Sequence, residues 1–506
     1  MSMSVHSSSS AAYKNSTNRA KYVEEIVDEI GFTYYHLHLI LMLACANACE
    51  AIEILLLCFI QNCVSIEWHI GPFYLSIITS SLFLGQIVGI LTICNLADIY
   101  GRRKIVLFGF SIVCIFGTLT SFASNIWTLV ICRFLVGLGI GAYQTPMYDL
   151  TAELLPTKHR GKLGMSSLFI VIGELYIIFV ASGTLYNSQW RLTTLYAVLP
   201  TVLLTIYGFL CLPESPLWLI QEGNVAEATM FLKRIADEAS QDEILLRPIE
   251  SRIESNSLKF ASLLKPTTWL ITEPLWYTWF FSNFARYVGI LQITAYYSFG
   301  DMKCGYKYSE MMFTTLLQVV GVLLALQSLP MGRTLSQVVF LVLASVFSTL
   351  PIVLNKGIIN MGTILVIGAA RACLEGAVTI LSIQTPELYR TEHRATGHGA
   401  AVAWGRLGGF CAIYWVDCFA DIHPFLSSLI FTFVCVMSGL AAIRLPETKH
   451  VRLDGSLEYT LNSKDEINDE QIGLIRYNNA AKGRPTIHVG YSSSFDSGSV
   501  ISDLTG

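Results

Sequence analysis

The chain has 506 residues, 53% hydrophobic and only 14% charged, with a mean hydropathy of +0.53. Soluble chains carry roughly 25% charged residues, so much of this surface is expected to face lipid. A formal net charge of −4 argues against a nucleic-acid partner, and without a GxxxxGK loop ATP is not expected to drive anything here.

In chain order, residues 1–37 read as a polar, Ser-rich tail rather than a cleavable signal peptide, since the first hydrophobic segment starts near Leu37 and is too long for one. Within the tail, "YVEEIVDEIGF" places Val23, Ile26, Val27 and Ile30 at i, i+3, i+4, i+7, a short amphipathic helix expected to rest on the cytoplasmic face. Apolar stretches of membrane length follow at 38–60, 74–93, 105–123, 126–147, 163–183 and 190–211. After a hydrophilic linker (212–275) come 276–298, 309–329, 335–354, 358–382, 399–419 and 423–443. "EATMFLKRIADEA" in the linker reads as a second amphipathic helix, and 444–506 as a disordered, Ser-rich cytoplasmic tail. With both termini in the cytoplasm, 25 of the 33 Lys and Arg fall inside and four outside; the other four, Arg133, Arg286, Arg371 and Arg406, lie within spans. The expected architecture is therefore an all-α membrane protein of twelve transmembrane helices in two six-helix bundles, 38–211 and 276–443.

The halves repeat. "ELLPTKHR" (153–160) and "ELYRTEHR" (387–394) lie 234 residues apart (387 − 153), each after the fourth helix of its half. Parallel repeats of this kind mark transporters with a site between the halves. The first span, "ACANACEAIEILLLC", carries Glu50 and Glu53. A charge at the centre of a membrane helix costs roughly 2.5–3.5 kcal/mol on insertion scales, so intramembrane acids need a reason. Three residues apart, the two project from one side of the helix. They either hold a proton or a cation between them or form a structural pair neutralised by an arginine, with Arg133 the leading partner. Arg286 is a further mid-helix charge, with Tyr287, Tyr296 and Tyr297 nearby; it can bind an anionic substrate or pair with Glu50, Glu53 or Glu174, the acid near the middle of the fifth helix. Arg371 and Glu375 stand four apart and can satisfy each other. Arg406, Asp417, Trp404 and Tyr414 are weaker candidates.

"ADIYGRRK" (97–104) joins the second and third spans. Gly101 allows a tight reversal, Arg102, Arg103 and Lys104 anchor the loop inside, and Asp98 can pair with one of them or with a helix N-terminus; a pure topology determinant is the alternative. This D-x-x-G-R-R-K loop is similar to the signature of the major facilitator superfamily. "RFLVGLGIGA" (133–142) resembles its helix-four motif, and "LPESPLWL" (212–219), "TPELYRTEHRATG" (385–397) and "LPET" (445–448) resemble the sugar and organic-ion branches. "VDEIGF" ahead of a first helix with paired acids resembles the synaptic-vesicle-glycoprotein-related group, beside the organic cation and anion transporters.

The resemblance implies two bundles rocking about a midplane site. Helices one, five and seven would line that site, and Glu50, Glu53, Arg133, Glu174, Arg286, Arg371 and Glu375 would be the substrate or proton-coupling residues. Asp98, Gly101, Arg102, Arg103, Glu153, Arg160, Glu387 and Arg394 would form the gating loops. The implied function is secondary transport of a small organic ion or polar metabolite coupled to protons, by a monomer in the plasma membrane or a vesicle, with no enzyme activity and no cofactor. Departures stand at Cys94, Ile99, Leu217 and Arg390. Leu329 takes the place of Asp98 in the second half, which leaves room for a relative that no longer transports and serves in sorting or sensing. The only N-x-[ST] site, Asn15, lies on the cytoplasmic side. Of thirteen cysteines, only Cys63 and Cys304 fall in segments placed on the outer side of the membrane, where they can form a disulfide, and Cys/His zinc spacing is lacking. "EQIGLI" (470–475) fits an acidic dileucine signal through Glu470, Leu474 and Ile475, a possible handle for sorting adaptors.

Overall fold

The computed structural model describes residues 23–185, 189–238, 263–298, 304–354, 361–389, 391–419 and 424–448. Within these, the chain is helical, and strand pairing is confined to one bridge, Ser298 with Tyr306. The helices in order are α1 Val23–Ile30, α2 Tyr34–Trp68, α3 Pro72–Val88, α4 Cys94–Tyr100, α5 Arg102–Thr120, α6 Ile126–Leu154, α7 Ser166–Thr184 and α8 Trp190–Cys211. They continue with α9 Pro216–Gln221, α10 Val225–Glu238, α11 Pro266–Tyr297, α12 Tyr308–Ser328, α13 Arg333–Leu354, α14 Met361–Leu388, α15 Thr391–Phe419 and α16 Pro424–Ile443. A π-turn, Gly89–Ile93, joins α3 to α4. Each of the twelve expected spans falls largely within one long helix, and among the described residues nine helices are long and apolar enough to cross a bilayer.

The apolar runs set the positions of the helices, and the polar residues set their ends. Asn125 caps α6, its side-chain oxygen accepting from Thr128 N at 2.9 Å. His69, in the left-handed region at φ 55°, closes α2. The seventh span departs from expectation: α11 begins at Pro266, ten residues before position 276, because "PTTWLITEP" continues the helix beyond its apolar stretch. Similarly, α15 begins at Thr391 rather than near 399.

In the first half, α6 packs against α3 and α5, and α2 against α7. The glycines of "RFLVGLGIGA" permit this. A Cβ at Gly137 or Gly141 would run into the backbone of Leu82 or Gln86, and one at Gly85 into Phe134. In the second half, α14 packs against α12 and α13, α11 against α15, and α13 against α16. Two seams join the halves, α3 with α15 and α7 with α12.

The N-terminal amphipathic helix finds a partner within the chain. Val23, Ile26, Val27 and Ile30 of α1 bury against Leu219 and Ile220 of α9 and Ala228, Leu232, Ile235 and Ala236 of α10. Asp28 then ties α1 to the segment after α6, accepting from Thr157 N at 2.6 Å and Thr157 Oγ at 2.8 Å.

Candidate functional site

Four acid–arginine pairs occupy the middle of the bundle. Glu53 of α2 pairs with Arg133 of α6 at 2.7 Å, with side chains 1% and 0% exposed. Glu50, one turn earlier, turns to the other half and pairs with Arg406 of α15. Gln144 of α6 donates to Glu50 and accepts from Arg406 Nη2 at 2.6 Å, and Arg406 Nη1 donates to the Tyr287 hydroxyl of α11. Glu174 of α7 accepts from Arg371 of α14 at 3.0 Å and from Gln318 of α12 at 2.8 Å. Arg286 of α11 forks onto Glu375 of α14 at 3.0 and 3.3 Å. Burial without these partners would cost several kcal/mol per charge.

The last two pairs, with Gly289, Ile290, Gln318 and Leu374, line a void of about 10 Å³, room for roughly one water molecule. Here the charges meet each other, and a solute larger than water fits between them only if the helices part. Glu174 and Arg371 belong to opposite halves, as do Glu50 and Arg406, so parting the halves breaks both pairs.

Several expectations change here. Glu50 and Glu53 do not face each other across a common chamber; one spans the halves and the other is sealed inside the first. Arg371 and Glu375 each reach another helix instead of closing an i,i+4 pair. Arg286 takes Glu375 rather than Glu50, Glu53 or Glu174. Arg406, a weak candidate from sequence, holds the centre of the α2–α6–α11–α15 junction. Gln144 and Gln318 escaped notice because uncharged amides in apolar helices carry little sequence signal. Trp404 stacks on Trp276 at 5.3 Å, and the Tyr414 hydroxyl meets Ser80 at 3.0 Å across the α3–α15 seam.

The motif loops form two matching constructions. Gly101 (φ 97°) turns the chain into α5, and the Glu214 carboxylate of "LPES" lies against it and accepts from Arg103 N at 3.1 Å. Gly332 (φ 121°) turns the chain into α13, and Glu447 of "LPET" accepts from Arg333 N at 2.7 Å and Thr334 N at 3.1 Å. Arg102 pairs with Glu153 at 2.5 Å, and Arg333 with Glu387 at 3.4 Å. Ser215 and Thr448 donate to the same two acids, at 3.1 and 2.6 Å. Leu329 therefore removes one acid from the second loop but leaves its ion pair and carboxylate cap in place. Asp98 receives the Trp218 indole N–H on its carbonyl at 3.2 Å, and Arg160 is buried. The side chains of Arg394, Tyr296 and Asp417, and the segment with Glu470, Leu474 and Ile475, lie outside the described residues.

At the opposite end of α2, Cys63 and Cys304 are bonded as a disulfide, Cα atoms 5.0 Å apart. Asn62 donates to Ser298 at 2.9 Å, and the Tyr306 hydroxyl to Cys58 O at 3.0 Å.

A family described as "Sugar (and other) transporter" matches residues 36–457. The Synaptic vesicle 2-related protein of Xenopus laevis is 28% identical over 86% of this chain and 83% of its own. The Putative transporter SVOPL of Mus musculus is 29% identical over 84% and 92%, and the Organic cation/carnitine transporter 7 of Arabidopsis thaliana 25% over 84% and 94%. A solved structure of the proton:xylose symporter XylE superposes with a TM-score of 0.66 at 18% identity, covering 83% of this chain and 98% of that one; this likeness bears on the fold alone. The nine membrane-length apolar helices among the described residues and the matched residues agree: the chain is a multi-pass membrane protein of the sugar (and other) transporter family within the major facilitator superfamily.

Proposed function

We propose that the protein is a secondary transporter of a small organic ion, working by alternating access, with the void between Glu174, Arg286, Arg371 and Glu375 as its substrate site. The observation that carries this reading is the Glu174–Arg371 pair, which joins opposite halves at the edge of that void. A solute bearing a carboxylate and a cationic group can replace both partners as the halves part, so a zwitterion fits best. One relative's name, organic cation/carnitine transporter, points to the same range of solutes. Coupling by protons falls to Glu50, whose partner lies across the seam. Glu53 and Arg133, dry and within one half, hold α2 to α6. Asp98, Gly101, Arg102, Arg103, Glu153, Arg160, Glu387 and Arg394 form the gates, and the 25-to-4 distribution of basic residues puts those loops and both termini in the cytoplasm.

The test is uptake into proteoliposomes of organic cations, anions and zwitterions under an imposed pH gradient. Uptake abolished by Glu174→Gln or Arg371→Gln, and uncoupled from the gradient by Glu50→Gln, supports the reading. Leu329 in place of the second loop's acid favours the other reading, a non-transporting relative in vesicle sorting or sensing. Normal sorting with no flux for any solute class would establish that one.

A further inference from the structure

The buried acids described so far face arginines, which stay protonated throughout the physiological range. One buried acid differs. Asp149 Oδ1 of α6 lies 2.8 Å from His398 Nδ1 of α15, with side chains 3% and 4% exposed. Imidazole is the side chain that changes charge between about pH 5 and 8. The pair also joins the two halves. Asp149 stands one turn before Glu153, the acid that holds Arg102. A Cβ at Gly399, next to His398, would touch Ile90 and Cys94 of the α3–α4 stretch and Thr145 of α6. The pair therefore sits at the motif-loop end of the α3–α15 seam, where parting of the halves on that face must break it.

We propose that Asp149 and His398 form a proton-operated lock on this seam, held shut by the protonated imidazole and released by the neutral one. The inference rests on the alternating-access reading above. A charge-assisted hydrogen bond is shorter and roughly twice as strong as a neutral one. The imidazole takes one proton from water when this face is open, closes onto the Asp149 carboxylate, and returns the proton to water at the next opening. The groups around the pair are accounted for on each neighbouring element. Tyr148, whose ring lies 5.2 Å from His398, and Glu153 share α6. Arg102 of the motif loop and Cys94 of α4 act on Asp149, Asp98 acts on both of them, and Glu387 of α14 and Asp149 act on Tyr148. Arg102 and Glu153 hold each other, and His398 is the group in direct contact with Asp149 whose side-chain type changes charge between about pH 5 and 8.

Cys94 is a native reporter, 6% exposed, its sulfur 4.0 Å from where a Cβ on Gly399 of α15 would stand. The experiment measures its alkylation by a membrane-impermeant maleimide, read by mass spectrometry, on the full chain in nanodiscs without solute. The unaltered protein is compared with His398→Gln and Asp149→Asn at two pH values; because the Asp149 charge also acts on the Cys94 thiol, the readout is the variant-to-unaltered rate ratio at the lower pH divided by that at the higher, in which this constant factor cancels. For both variants the variant-to-unaltered ratio should be about tenfold larger at about pH 5.5 than at about pH 8, the factor expected of a charge-assisted hydrogen bond. Asp149→Asn keeps the imidazole and decides the matter if His398→Gln fails to fold. The same ratio at both pH values would overturn the lock. A protein that moves no solute yet keeps acid protection of Cys94 removes the transport reading alone; solute uptake with pH-independent labelling removes the lock alone.

Discussion

Glu50 and Glu53 are one helical turn apart on α2, yet they inhabit different regions. Glu53 and Arg133 are sealed within the first half, where a water molecule has no access. Glu50 and Arg406 cross to the second half through Gln144 and Tyr287. The difference teaches that a buried acid's role follows from what its partner is attached to. A partner in the same half travels with the acid and leaves the pair intact in every state; a partner in the other half makes the pair a contact that motion must break.

Stability measurements can break this comparison. Arg133→Leu strands Glu53 as an unpaired charge and is expected to cost about 3–5 kcal/mol, read as lost yield and a lower melting temperature; adding Glu53→Gln should recover most of that loss. Arg406→Leu should cost less, about 1–3 kcal/mol, because Glu50 gains water once the halves part. Equal melting losses for the two arginines would mean that the seam is as sealed as the interior, and the distinction would fail. A parallel test compares the two motif loops. Gly101 (φ 97°, ψ 147°) and Gly332 (φ 121°, ψ 148°) occupy a region essentially reserved for glycine. Alanine at either should cost about 1–3 kcal/mol and force aside the Glu214 or Glu447 carboxylate. A much smaller loss at Gly332 would mark the second loop as the slacker one. The smallest effect is expected from Asn125→Ala, about 1 kcal/mol through the lost cap of α6, with no change in solute handling.

The spans and the intramembrane charges were legible in the sequence because lipid imposes both: a helix needs a long apolar run, and a charge inside it stands out. Of the pairings, only Arg133 with an acid of the first span, Glu53, was legible; the others were not. The i,i+4 reading of Arg371 with Glu375 used the one geometry that a single helix supplies, whereas the contacts come from α7 and α11, placed by tertiary packing. Gln144, Gln318 and His398 were missed because neutral polar residues cost little in a hydrophobic run and become significant only beside a charge. The start of α11 was missed because hydropathy marks where a helix meets lipid, not where its hydrogen-bond ladder begins. The erosion inferred from Leu329 was a one-residue reading of a loop whose remaining contacts come from Glu387 and Glu447, 50 or more residues away (387 − 329 = 58).

The four matched pairs, Glu50, Glu53, Glu174 and Glu375 against Arg133, Arg286, Arg371 and Arg406, also bear on how the carrier meets a membrane voltage. Moving one elementary charge through the field involves about 2.3 kcal/mol per 100 mV. Four negative and four positive groups sum to zero, so in the proposed alternating-access cycle these side chains would carry no net charge through the field when the unloaded protein resets. Whatever electrical signature a full cycle shows then belongs to the cargo and its accompanying ions.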